Sequence, residues 1–241
     1  MREITIHPLP TIHEEPESLL HPDIPQGSCL ITAPSNSGKT VLIVNLMLRR
    51  DLGVLVHYNE IHVYSPTCRS DASWDLVQPD VYRSHTIKVD GKKHQTAEIR
   101  LYEDLDEASI VKTMDDNAAL SRKERKKILI VLDDFAAEIK STVALNRLVM
   151  RGRHSFVWCW ISTQLYRKIP RSVRVNMPHY IFFSVNQNEL KTIAEELSTN
   201  TFAQFEHIFR RCTDAKYSFL SVDMKKPVEN RYSCNFNKID L

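Results

Sequence analysis

Residues 128–132 are Ile128, Leu129, Ile130, Val131 and Leu132, an unbroken apolar run between Lys127 and Asp133. Successive side chains of a strand point to opposite faces, so a strand of this composition must be covered on both sides. At this length, and rich in branched residues, the run reads as a strand and not a helix. Further strands are predicted at 28–33, 61–64, 156–162 and 180–185, with an alternating one at 217–222. Helices are predicted at 39–50, 105–122, 136–150, 188–197 and 201–211. The first of these carries Val41, Leu42, Val44, Leu46 and Leu48; the second begins acidic and ends basic, as the helix dipole favours. Strands and helices in this alternation indicate an α/β fold, a mostly parallel sheet with helices on both faces.

The chain has 241 residues and 42% hydrophobic content, enough for one domain with a substantial core. Ahead of it, residues 1–26 carry Pro8, Pro10, Pro16, Pro22 and Pro25, which predicts an extended arm that lies across the domain or reaches a neighbouring subunit. The domain is then 27–241. Within it, 69–98 is polar and irregular and reads as a surface insertion with a hairpin turning at Asp90 and Gly91. Cys29, Cys68, Cys159, Cys212 and Cys234 include no Cys-x-x-Cys pair, so neither a zinc site nor a disulfide framework is expected, and the thiols are read as reduced and mostly buried. No basic-flanked apolar stretch opens the chain and no apolar run is long enough to span a bilayer, so a signal peptide and a membrane span are not expected. The 32 Lys+Arg against 30 Asp+Glu leave a formal charge of +2. Any nucleic-acid contact must therefore come from a local cluster or from copies that share a pore.

Between the first strand and the first helix lie Ala33, Pro34, Ser35, Asn36, Ser37, Gly38, Lys39 and Thr40. A loop of this pattern in that setting binds phosphate, because backbone N–H groups and a helix N-terminus converge on the anion. Lys39 would bridge the β- and γ-phosphates of ATP and the Thr40 hydroxyl would hold Mg²⁺. Ala33 stands where the usual pattern has glycine, which an ordinary backbone angle permits. The run 128–132 ends in Asp133 and Asp134, at the sheet edge where open α/β folds bind ligands. Asp133 would act on Mg²⁺ and Asp134 on the attacking water, although an Asp at this place also caps a helix well.

The strand at 156–162 turns polar at Ser162, Thr163 and Gln164, so Gln164 is a candidate γ-phosphate sensor. ATPases with a strand inserted between phosphate loop and acidic strand use such a sensor. Arg153, Arg174 and Arg147, in that order, are candidates for an arginine aimed at a neighbour's γ-phosphate, with a solvated basic surface the alternative for each. Lys225 and Lys226 could touch DNA phosphates.

In order along the chain, residues 25–33 leading into Gly38, Lys39 and Thr40, then 63–67, 131–135, Arg151 to His154, Ser162 to Gln164, Ile169 with Pro170, and Arg174 to Asn176 resemble the genome-packaging ATPases of poxviruses and other large DNA viruses, within the HerA/FtsK superfamily. The resemblance runs from about Leu20 to the C-terminus. It implies a RecA-like P-loop NTPase core, a homo-oligomeric ring (pentamer or hexamer), and ATP-driven translocation of double-stranded DNA, gripped non-specifically by its backbone, into a preformed capsid. It also implies a capsid or portal-site partner and a place at the cytoplasmic assembly site of an infected cell or in the virion. Two other readings stay open at this point: a nucleotide-dependent switch or assembly factor, and a small-molecule kinase with a lid at 167–174.

Overall fold

The computed structural model describes residues 18–89, 91–135, 142–198 and 200–239. Residues 1–17 of the arm, Asp90 of the hairpin turn and 136–141 of the third expected helix lie outside the described residues. The strands are β1 (Cys29–Thr32), β2 (Glu60–Tyr64), β3 (Thr86–Val89), β4 (Lys92–Gln95), β5 (Glu98–Tyr102), β6 (Ile128–Leu132), β7 (Val157–Thr163), β8 (His179–Phe182), β9 (Leu220–Asp223), β10 (Tyr232–Cys234) and β11 (Asn237–Lys238). The helices are α1 (Lys39–Leu48), α2 (Val54–His57), α3 (Glu107–Ala119), α4 (Thr142–Arg151), α5 (Arg171–Arg174), α6 (Gln187–Leu197) and α7 (Phe202–Thr213).

All strands but β3 and β4 form one sheet in the order β11-β10-β9-β8-β1-β7-β6-β2-β5. From β8 to β5 every neighbouring pair is parallel, and β9, β10 and β11 extend the sheet antiparallel. The expected α/β fold with a mostly parallel sheet is thus the observed one. The alternation of side chains divides the core in two. Leu30, Ile128, Ile130, Leu132, Val157, Cys159, Ile161, Tyr180 and Phe182 face one side, packed by residues of α3, α4, α6 and α7 such as Ile110, Leu148, Ile193 and Phe209. Cys29, Ile31, Leu129, Val131, Trp160 and Ile181 face the other, packed by Ile43, Val44 and Met47 of α1 and Val54 and Leu55 of α2. Burying apolar surface on both faces at about 25 cal/mol per Å² is what holds such a sheet central.

Several elements differ from expectation. Helix α1 stops at Leu48, where Arg49 turns extended, and a 3-10 turn over Arg50–Leu52 follows. Val41, read as part of its apolar face, is 51% exposed. Strand β5 pairs with β2 at the sheet edge; its half-exposed Glu-Ile-Arg-Leu-Tyr sequence has no apolar run to announce it. In the 69–98 segment the β3–β4 hairpin is largely exposed, whereas Trp74 and Val77 are buried in the α1-side core. The described end of the arm lies on its own domain: Leu20 and Ile24 are buried, and the His21 N–H donates to the Leu52 carbonyl over 3.0 Å.

The expectation of free thiols throughout is corrected. The end of α7 packs beside β10, and Cys212 and Cys234, separated by 22 positions, form a disulfide with Cα atoms 5.0 Å apart. Cys29, Cys68 and Cys159 are free and buried. Among the described residues no helix is long and apolar enough to cross a membrane.

Candidate active site

The loop after β1 leaves the sheet at its C-terminal edge and curls into α1. Ala33 continues the strand, its N–H bonded to the Thr163 carbonyl at 3.0 Å. It is fully buried and is not among the residues with positive φ, so no glycine is required there. The curl is made further on, where Asn36 has φ 59 and Gly38 φ 88. Gly38 precedes α1 without a side-chain cap, and no acidic residue occupies the first turn. The first N–H groups of α1 and its positive dipole end are thus left to an external anion.

Register does the rest. Tyr64 pairs with Leu132 and Leu132 with Ile161, so Ser65, Asp133 and Ser162 come side by side just past or at the strand ends. Asp133 is 1% exposed and accepts hydrogen bonds from the hydroxyls of Thr40 (3.2 Å), Ser65 (3.4 Å) and Ser162. Burial pushes its carboxyl above the usual carboxylate range; the bond from Ser162 opposes that rise and the neighbouring Asp134 charge adds to it. This group fits Mg²⁺. The donors gathered here are oxygen, and a desolvated carboxylate is relieved by a divalent cation. No cluster of three metal-binding His, Cys, Asp or Glu side chains occurs among the described residues.

Asp134 sits in the left-handed region at φ 58, a conformation that Asp tolerates better than most residues and that clusters at functional sites. Its N–H donates to Ser162 Oγ at 3.1 Å, which ties the turn to β7. Its carboxylate meets Lys39 Nζ at 2.7 Å and accepts from Gln164 Nε2 at 3.4 Å. Lys39, Thr40, Asp133, Asp134 and Gln164 are therefore one constellation, as the sequence predicts. Ser65 and Ser162 were not singled out as functional. Their only sequence signal is a hydroxyl where an apolar strand ends.

The arginines are not part of this cluster. Arg147 pairs with Asp115 of α3. Arg174 stacks 5.2 Å over the Tyr166 ring and grips Glu196 with two bonds of 2.7 Å. Burial alone would raise Glu196, but Arg174 and Tyr166 outweigh it and hold the carboxyl low. Arg153 is exposed in the turn Gly152–Ser155, ahead of β7 and so at the opposite edge of the sheet. Among the described residues it has no ion-pair partner. Lys225 donates to the Gln26 carbonyl at 2.8 Å and Lys226 lies 3.9 Å from Asp223.

A phosphate loop on β1, an acidic pair on β6 and, between them, a strand β7 with a polar end define a P-loop ATPase of the kind with an inserted strand. The chain belongs to the poxvirus A32 protein family, whose model matches residues 26–237. No curated protein sequence matches it. Among solved structures it is similar to the genome packaging NTPase B204 from Sulfolobus turreted icosahedral virus 2 in complex with AMPPCP, at 15% identity and a TM-score of 0.55 over 89% of this chain and 98% of that one. B204 from Sulfolobus turreted icosahedral virus, a DNA-packaging ATPase, matches at 16% identity and 0.58 over 90% and 98%. The pCW3 conjugation coupling protein TcpA, solved with ATPγS, matches at 13% and 0.54 over 88% of this chain and 59% of that one. At these identities the likeness shows the fold.

Proposed function

We propose that this chain is an ATP-hydrolysing motor that moves double-stranded DNA, packaging a viral genome into a preformed capsid. The observation that carries the reading is the meeting of Lys39, Gln164 and Asp134 at the end of the inserted strand, 2.7 and 3.4 Å apart. A carboxylate placed between a phosphate-binding cation and an amide is set to orient water in line with a γ-phosphate. Membership of the A32 family and a fold shared with B204 support packaging as the use of that chemistry.

In this mechanism the backbone N–H groups of 35–40 and Lys39 hold the triphosphate. Thr40 and Asp133 hold Mg²⁺, which supplies charge neutralisation on the phosphate oxygens when bound. Lys39 exchanges Asp134 for phosphate, and Asp134, released, takes up the water and accepts its proton. Gln164 keeps that carboxylate aligned and donates to the γ-phosphate. Arg153 acts on a neighbouring subunit's nucleotide in a homo-oligomeric ring of five or six, because Arg147 and Arg174 are occupied within their own chain. The ring grips the DNA backbone without sequence preference, docks on a capsid or portal-site protein, and works at the cytoplasmic assembly site or in the virion.

The test is ATP turnover with and without long double-stranded DNA, alongside Asp134→Asn. Turnover should rise with DNA and fall at least about a hundredfold in the variant. Turnover indifferent to DNA in an assembled ring would remove the motor reading, and an active Asp134→Asn would remove the site assignment.

A further inference from the structure

Tyr217 lies in the loop between α7 and β9, at φ 66, with 58% of its surface exposed. A large aromatic held in the left-handed region yet left in solvent contributes little to the core, so its placement asks for another cause. The loop is pinned directly behind it. The Phe219 N–H donates to Asn235 Oδ1 at 2.9 Å, the Asn235 N–H returns to the Phe219 carbonyl at 3.0 Å, and the Phe219 ring packs against Phe183 and Phe236. Phe182 pairs with Leu220 across the antiparallel step and with Thr32 across the parallel one. The start of β9 therefore stands at the same sheet edge as the phosphate loop. There the ring edge covers Gly38: a Cβ on that glycine would lie 3.2 Å from Tyr217 Cδ1 and 3.7 Å from Cε1. The Lys216 ammonium lies 4.7 Å from the ring centroid.

We infer that Tyr217 is the stacking platform for the nucleoside end of the substrate, a purine base carried by a triphosphate seated in the loop at 33–40. The inference rests on the nucleotide-site reading above. An exposed ring anchored at the mouth of a phosphate loop offers a π-face beside the anion site, and stacking on such a face is indifferent to most of a base's edge. Lys216 lies over one face of the ring, so the base would take the opposite face, with the ammonium charge close by. Gly38 gives the loop its turn and also the room for this ring.

Calorimetric titration with ATP and with inorganic tripolyphosphate, on wild type, Tyr217→Ala and Tyr217→Phe, separates the possibilities. Stacking predicts that Tyr217→Ala weakens ATP about tenfold while tripolyphosphate affinity stays put, and that Tyr217→Phe binds ATP as wild type does. Unchanged ATP affinity in Tyr217→Ala overturns the platform and leaves the phosphate site standing. An equal loss for both ligands also overturns it, since Tyr217 would then only brace the loop. If wild type binds neither ligand, the phosphate site itself fails, and the platform with it.

Discussion

Lys39 is 7% exposed in its side chain and Asp134 29%, so their 2.7 Å contact joins the two groups to which the proposed mechanism gives separate tasks. The Lys39 ammonium is turned to Asp134 at the sheet edge and not into either apolar core. Lys39→Ala should therefore lower turnover by about a hundred- to a thousandfold, the cost of one charge-stabilising donor, with an unchanged circular dichroism spectrum. A comparable rate in the variant would show that the cation acts elsewhere. At this scale the sequence was informative wherever the chemistry sits on consecutive residues. Ala33 to Thr40 and Asp133 with Asp134 are legible because loop and strand end are each one stretch of chain. The link of Ser65 and Ser162 to Asp133 is not legible, because they reach it only through the pairing of β2, β6 and β7. The commitment of Arg174 to Glu196 was hidden for the same reason, the partners being 22 positions apart on different elements.

At the scale of elements, apolar runs, broken in β2 by His62, gave away β1, β2, β6, β7 and β8, which are buried on both faces. Strand β5 did not show because an edge strand with one wet face carries Glu98 and Arg100, which pair with each other at 2.9 Å. Strands β10 and β11 are three and two residues long, below what a pattern can register. The Cys212–Cys234 bond clamps α7 to β10, on either side of the loop that carries Tyr217 and β9. Closing a loop of 22 positions removes chain entropy from the unfolded state, by about 3 kcal/mol on the loop-length relation. Cys212→Ser should accordingly lower stability by a similar amount in urea titration, and reducing agent should lower wild type but not the variant. Equal midpoints for reduced and oxidised wild type would mean that the clamp adds nothing.

Across the whole molecule, stability should be sensitive to acid. His57 is pushed down to about 3, first by burial and then by the Lys127 charge, and its Nδ1 accepts from the Leu19 N–H at 3.2 Å, a bond only the unprotonated nitrogen can make. His179 is pushed down to about 4, by burial against the opposing pull of Asp223. Both rings would titrate near 6.5 when unfolded. Between that value and the depressed ones the unfolded chain binds more protons, so stability is intact above 6.5 and falls as the pH drops towards 3–4. A melting temperature lower at pH 5 than at pH 7, and less so in His57→Gln, is the expected result. A melting temperature flat across that range would place these rings in water. The sheet order itself was half legible: a strand between phosphate loop and acidic strand follows from the polar end at Gln164, and β9 from the alternation at 217–222, but the antiparallel pairing of β9 and the strands β10 and β11 do not follow from any run of residues.

The contact between Lys39 and Asp134 bears on which anions the site would admit. A free carboxylate beside a free ammonium at a sheet edge would be a standing acid–base pair, able to meet any small electrophile that drifts in. Joined, they cancel, and the only visitor able to part them is one that offers the lysine a denser negative charge than a single carboxylate. In the proposed mechanism a polyphosphate does so, and by displacing Asp134 it would expose the base aimed at itself. Selectivity for substrate and readiness to react are then the same event.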